Sequence, residues 1–266
     1  MINEPKIVEI NEIIEETPTI KTFKFDWDFE TLGKPNPGEF VMVWNFKNEK
    51  PMSISQINDN ELAITVKNIG EFTSQLHDLK VGDVIGVRGS YGNGFDNSFE
   101  GKDILAIGGG VGMAPINAIA SDLVEKGNNV SVISAAQTKD ELLYGAFLEK
   151  LGVNVHYCTD DGSFGFKGFA TNCLSDLLED STYDYAFVCG PEIMMKGIFD
   201  ILEASSIPAQ YSLERYMKCA LGVCGQCCVD SEGWRICVEG PVFENDKIAQ
   251  ITEFGKYRRD ASGVKY

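Results

Sequence analysis

The chain has 266 residues, 44% of them hydrophobic, which is enough core for two compact domains and a small third, and argues against global disorder. Its 23 basic residues against 40 acidic ones leave a net charge of −17, a surface that repels nucleic acid and anionic membranes and excludes both as partners. The longest charge-free apolar run, 104–120, is broken by four glycines and a proline and falls short of a membrane span. Eight cysteines without a secretory leader predict a reducing, cytoplasmic setting, and five of the eight fall between Cys219 and Cys237.

Residues 1–100 read as short β-prone runs, KTFKFDW, EFVMVW, ELAITV and DVIGVRG. Turn signals at Asn36-Pro37-Gly38, Asn58-Asp59-Asn60 and Gly82-Asp83 separate them, and the pattern predicts a small antiparallel barrel. Three fragments say more: Pro37-Gly38-Glu39-Phe40, the run KPMSIS at 50–55, and GVRGSYGNGF at 86–95. Together they resemble the flavin-binding barrel of the ferredoxin–NADP reductase superfamily. There the usual segment is Arg-x-Tyr-Ser or Arg-Pro-x-Ser, with the basic residue on the FAD pyrophosphate and the serine near the flavin ring. Lys50 stands at the basic position here, a point charge without the fork of arginine. A second segment of the superfamily resembles KNIGEFT at 67–73, with Phe72 where a glycine is common. The resemblance implies FAD contacts at Lys50, Pro51, Met52, Ser53, Thr65, Val66, Lys67, Gly70, Phe72 and Thr73.

Between 101 and 207 the period changes. A compact apolar strand at 103–107 runs into Gly108-Gly109-Gly110-Val111-Gly112-Met113-Ala114-Pro115 and then a helical stretch. Strand, glycine loop and helix aim backbone amides and a helix start at a pyrophosphate, and Pro115 suits the first helical turn. Strands are predicted at 129–134, 153–157 and 183–188, with a helix over 140–151, so the sheet should be parallel. The nucleotide-binding candidates are Gly108, Gly109, Gly110, Gly112, Met113 and Asp160. Cys189-Gly190-Pro191 completes them: it resembles the superfamily's turn beside the nicotinamide, and would otherwise be a helix-start turn with a buried thiol. No arginine occurs between Arg88 and Arg215, and Asp160 and Asp161 sit where a 2′-phosphate would be repelled, which favours NAD.

Residues 208–266 carry Cys219, Cys224, Cys227 and Cys237, spaced C-x4-C-x2-C-x9-C. The first three match the run of plant-type two-iron, two-sulfur ferredoxins. A structural zinc site also takes four cysteines, and a disulfide knot is the other alternative. Gly222 and Gly225 suit a loop that folds amides toward sulfur. Cys228 is expected to pack away from its neighbour, and His77 and His156 to be surface or packing residues. The polar tail at 256–260 reads as a partner contact or a solvated end, and the solvated end is the expectation.

A flavin barrel, a nucleotide domain and a cysteine loop closing in Cys237-Val238-Glu239-Gly240-Pro241-Val242-Phe243 form a specific order. It resembles the family of electron-transfer subunits of NAD-dependent dihydroorotate dehydrogenases, and the resemblance covers essentially the whole chain. It implies a multidomain β plus α/β fold: an antiparallel flavin-binding β-barrel, a parallel-sheet NAD-binding domain and a small C-terminal iron–sulfur domain. It further implies FAD, a 2Fe-2S cluster ligated by the four named cysteines, and an FMN-bearing catalytic subunit as partner in pyrimidine biosynthesis. Subunits of sulfide dehydrogenases, ferredoxin–NADP transhydrogenases and cytoplasmic hydrogenases share the architecture. No Ser/His/Asp or Cys/His constellation is visible, so no catalytic acid–base residue is expected. Nicotinamides exchange electron pairs and clusters single electrons, so a flavin has to stand between them.

Overall fold

The computed structural model describes residues 2–266. Strands β1 (Ile2–Thr17), β2 (Ile20–Asp26), β3 (Phe40–Trp44), β4 (Glu49–Asn58), β5 (Glu61–Lys67) and β6 (Val84–Tyr91) close into a barrel in the order β1-β2-β5-β4-β3-β6. Helix α1 (Phe29–Leu32) and helix α2 (Glu71–His77) sit in its connections. Alternating apolar positions send Phe23, Phe25, Val41, Val43, Ile64 and Val87 inward, all essentially inaccessible. Each such burial stabilises the fold by about 1.5–3 kcal/mol relative to exposure. Register breaks after Ile10 and Glu15 bend β1, and its two parts pair with β2 and with β6.

The second sheet has the order β10-β9-β8-β7-β11-β12-β13. Its strands are β7 (Asp103–Gly109), β8 (Asn129–Ala136), β9 (Asn154–Thr159), β10 (Phe166–Lys167), β11 (Tyr185–Cys189), β12 (Ala209–Ser212) and β13 (Val242–Glu244). Around them lie α3 (Met113–Glu125), α4 (Gly145–Lys150), α5 (Ala170–Asp180), α6 (Glu192–Ala204) and α7 (Asn245–Ile248). All pairings are parallel except β12 with β13. β7 and β8 are buried along almost their whole length, as strands covered on both faces must be.

Two differences from the expected elements have physical causes. The helix expected over 140–151 shortens to α4, because Tyr144 takes a left-handed backbone (φ 59°). Its hydroxyl is then buried against Thr22 and Thr65 of the barrel, a contact between domains that outweighs helix propensity. The boundary expected at 207/208 falls just before β12, and both β12 and β13 belong to the sheet. Residues 213–241, which hold all four candidate ligands, are therefore an insertion between two antiparallel strands of the sheet edge. Asn93 fastens the barrel's exit to this insertion, its N–H and side chain donating to the carbonyls of Gly240 (2.6 Å) and Glu239 (2.9 Å).

Candidate functional site

The first residues of β4 form one wall of a cavity of about 570 Å3. Lys50, Pro51 and Met52 line it, as do Gly70, Phe72 and Thr73 at the entry to α2. Thr73 Oγ1 accepts from the N–H groups of Ile69 and Gly70 at 3.0 Å each, which fixes that entry. The other wall comes from distant chain: residues 214–217 after β12, with Arg258, Arg259 and Tyr266. The Lys50 ammonium lies 4.6 Å from the centre of the Tyr216 ring.

Four of the expected flavin residues lie outside this lining. Ser53 pairs with Phe40 in the barrel ladder, and Val66 is core. Thr65 belongs to a buried group of hydroxyls with Thr22 (2.8 Å), Ser55 (2.9 Å) and Tyr144. Lys67 reaches across to Glu141 of the nucleotide domain at 3.9 Å.

At the end of β7 the glycines are set by close approach. A Cβ on Gly112 would come 2.6 Å from the Cys189 carbonyl oxygen, and one on Gly109 3.0 Å from the Pro191 ring. The glycine loop and the Cys189-Gly190-Pro191 turn are thus packed against each other. Gly110 differs: it has φ +54° and open space where a side chain would be. Met113 is buried in the core below. Asp160 is exposed at the end of β9. Partial loss of solvation raises its pKa, and the charges of Asp161 and Glu141 add to the effect, so three carboxylates share this corner. Burial also pushes the Cys189 thiol up to about 12, so it stays protonated at neutral pH.

In the inserted segment the four thiols meet two by two, Cys219 with Cys224 and Cys227 with Cys237. Among the described residues no three ligand-type side chains converge on one point. The loop turns through left-handed backbone at Ala220 (φ 57°), Gly222 (φ 72°) and Gly225 (φ 68°). This winding brings the N–H groups of Leu221 (3.4 Å) and Cys224 (3.5 Å) onto Cys219 Sγ. Burial works to raise the Cys219 pKa, but the amides of Cys224, Leu221 and Val223 outweigh it and bring the group down to about 6. Cys237 moves the other way, to about 12, through burial and the neighbouring Cys227. Cys228 is half-buried, bridges to Arg235 through the backbone, and has its thiol raised by burial first.

Three arginines clasp this region. Arg88, buried in the barrel wall, holds Glu49 with two hydrogen bonds of 2.6 Å, which raise its pKa, and donates to the Cys219 carbonyl at 3.1 Å. Arg235 is paired with Glu239 and donates to the Gly222 carbonyl at 3.0 Å. Arg215 is buried between Glu192 and Glu253, and so ties the residue after Pro191 to the inserted segment. Sequence reasoning passed over Arg88, Arg215, Tyr216 and Arg258. The one available signal was that Arg215 and Tyr216 stand just before the first ligand.

Residues 214–249 match the family described as the iron–sulfur cluster binding domain of dihydroorotate dehydrogenase B, and 106–200 match the oxidoreductase NAD-binding domain. A curated protein of Methanothermobacter thermautotrophicus, a probable dihydroorotate dehydrogenase B (NAD(+)) electron transfer subunit, is 51% identical over 98% of this chain and 97% of its own. Its counterpart in Methanocaldococcus jannaschii is 48% identical over 99% of both chains. This chain belongs to the dihydroorotate dehydrogenase B electron-transfer subunit family. Among solved structures, an NADH-dependent reduced ferredoxin-NADP oxidoreductase superposes with a TM-score of 0.81 at 28% identity over 93% of both chains. A ferredoxin NADP+ reductase from Neisseria gonorrhoeae with bound FAD and NADP reaches 0.66 at 18%, over 77% of this chain and 92% of its own, a likeness of fold.

The residues present fit the groups that this family's architecture calls for. Two thiol pairs, with backbone amides on Cys219 and Cys237, suit a two-iron, two-sulfide cluster, one pair to each iron. Gly110, bare before the first turn of α3, suits a pyrophosphate lying on backbone amides. The cavity beside Lys50 has the size and the cation for a flavin nucleotide. The domain match of the family opens at Glu214, in the wall of that cavity, and spans all four thiols.

Proposed function

We propose that this chain is the electron-transfer subunit of an NAD-dependent dihydroorotate dehydrogenase. It passes electrons between NAD(H) and an FMN-containing catalytic subunit in pyrimidine biosynthesis, in the cytoplasm; no helix of the described residues is long and apolar enough to cross a membrane. The observation that carries the reading is one of continuity: residues 214–217 line the cavity and run directly into Cys219, so a flavin and a cluster would be neighbours along a few residues of chain.

Bound together, the three groups supply hydride exchange at the nicotinamide, two-to-one electron conversion at FAD, and single-electron carriage at the 2Fe-2S cluster. The protein holds and orients them. Lys50, Pro51, Met52, Gly70, Phe72 and Thr73 line the flavin cavity, while Ser53, Thr65, Val66 and Lys67 belong to strands β4 and β5 outside that lining. Gly108, Gly109, Gly110, Gly112 and Met113 shape the nucleotide loop, and Cys189, Gly190 and Pro191 pack beside it at the nicotinamide. Asp160 with its acidic neighbours disfavours a 2′-phosphate. Cys219, Cys224, Cys227 and Cys237 are the metal ligands, and no side chain acts as an acid or base.

The isolated chain is expected to reduce an artificial dye with NADH at least ten times more efficiently than with NADPH, about 1.4 kcal/mol. It should not turn over dihydroorotate until the FMN-bearing subunit is added. Unaided dihydroorotate oxidation would refute the subunit reading, and comparable use of both nucleotides would refute the charge argument. The likeness to a ferredoxin-NADP oxidoreductase over 93% of the chain supports a second reading, a reductase subunit of that kind, which a co-purifying partner without FMN would favour.

A further inference from the structure

The polar tail does not trail into solvent. Residues 258–266 double back as a hairpin, with backbone bonds from Arg258 N to Tyr266 O (3.1 Å), Tyr266 N to Arg258 O (3.0 Å) and Asp260 N to Val264 O (3.0 Å). Asp230 of the inserted segment pins it: its carboxylate accepts from Tyr257 Oη at 2.7 Å and pairs with Arg259 (2.8 Å) and Lys265 (3.8 Å). So fixed, the hairpin lends Arg258, Arg259 and Tyr266 to the wall of the cavity that Lys50 lines.

Charge then singles out one residue. Four cations line this cavity on a chain of net charge −17: Lys50, Arg215, Arg258 and Arg259. Arg215 is locked between two buried carboxylates, and Arg259 is held by Asp230 and the Gly263 carbonyl. Arg258 has a looser hold. Its carboxylate partner is Glu214 at 3.5 Å, whose side chain is 85% exposed, and its guanidinium lies 5.8 Å from the Tyr266 ring. Lys50 has its ammonium over the Tyr216 ring and makes no ion pair among the described residues. A diphosphate has oxygens for more than one cation, and a lysine answers it as a point charge where an arginine offers two parallel N–H groups.

We infer that Arg258, presented by the pinned C-terminal hairpin, binds the diphosphate of FAD and supplies the forked contact that Lys50 cannot. This rests on the cavity being the flavin site, and the test separates the two claims. The full-length protein is stripped of flavin, and binding of FAD and of riboflavin, which has no phosphate, is followed by flavin fluorescence. Arg258→Ala should weaken FAD about tenfold or more and leave riboflavin unchanged, with Arg258→Lys recovering part of the loss. Lys50→Ala should weaken FAD similarly, and circular dichroism with iron content verifies the fold of each variant. Should Arg258→Ala misfold, Arg258→Gln, which keeps bulk and hydrogen bonding, takes its place. Equal losses of FAD and riboflavin would make Arg258 a packing residue and overturn the inference. FAD binding that falls in Lys50→Ala but holds in Arg258→Ala would overturn it too, with the flavin cavity intact. A wild-type chain that binds no FAD would sink both.

Discussion

The glycine loop at 108–112, proposed to take a pyrophosphate, and the thiol loop at 219–227, whose amides reach Cys219 Sγ, are held in place by different means. The first hangs from the ends of β7 and β11, two central strands. Its glycines leave room for the backbone of Cys189 and Pro191, and its position follows from a buried sheet. The second has no regular secondary structure through its turns, and Cys224 is exposed. Three left-handed residues wind it, and the side chains of Arg88 and Arg235 grip its carbonyls. Sheet pairing can position a loop without any ligand. The thiol loop depends on a few side-chain clasps and on the bonds its sulfurs make.

Removing those bonds is the most severe way to break the comparison. Replacing Cys219, Cys224, Cys227 or Cys237 by Ser should reduce iron and acid-labile sulfide to background, whereas Cys228→Ser keeps both. A cluster-free Cys228 variant would show that the two thiol pairs are misassigned. The clasp comes next. Arg88→Met leaves the Glu49 carboxylate without its partner and frees the Cys219 carbonyl, and should lower stability by about 3 kcal/mol. Chelator-driven bleaching of the cluster should quicken with it, and Arg88→Lys should restore part of both; bleaching at the wild-type rate would remove Arg88 from any role in holding the loop.

At the sheet-held site the expected effects are smaller and leave the cluster alone. Gly112→Val drives a side chain against the Cys189 carbonyl, and NADH affinity should fall about tenfold, or 1.4 kcal/mol, with iron content unchanged. Unaltered NADH affinity would mean the loop has more slack than the 2.6 Å approach allows. The smallest effect lies at the seam between barrel and sheet. Burial raises the pKa of Glu16, against its bond from Thr22 and the charge of Lys24. A raised carboxyl favours the protonated form in the fold, so its contribution is full below the unfolded value and lost as pH rises through the folded one. Glu16→Gln should therefore melt slightly higher than wild type at pH 8, by less than about 1 kcal/mol, with the gap closing near pH 4. A gap that widens in acid would reverse the sign of this argument.

What the sequence made legible follows the same division. Alternation in KTFKFDW and ELAITV gave the barrel, and the apolar strand before the glycines gave the nucleotide fold, because period and turn chemistry are local. The spacing of Cys219, Cys224, Cys227 and Cys237 was enough to nominate a cluster. What stayed hidden depends on distant pairings. β13 has three residues, and its pairing with 210–212 spans the whole insertion. Tyr144 breaks a helix for the sake of hydroxyls more than 70 residues earlier. Arg258 and Lys50 line one cavity from distant parts of the chain, and Asp230 pins the hairpin that carries Arg258. No windowed pattern contains such information.

The placement of the insertion bears on what the protein keeps when its iron is lost. Residues 213–241 leave from β12 and return into β13, and the ladder pairs Gln210 with Glu244, Tyr211 with Phe243 and Ser212 with Val242 without any sulfur taking part. Loop closure grows costly only slowly with length, so a ladder that needs no sulfur can hold both ends of a segment this long. A chain that has lost its iron therefore keeps the two ends of the segment in register, and leaves the thiol loop between them to the clasps of Arg88 and Arg235.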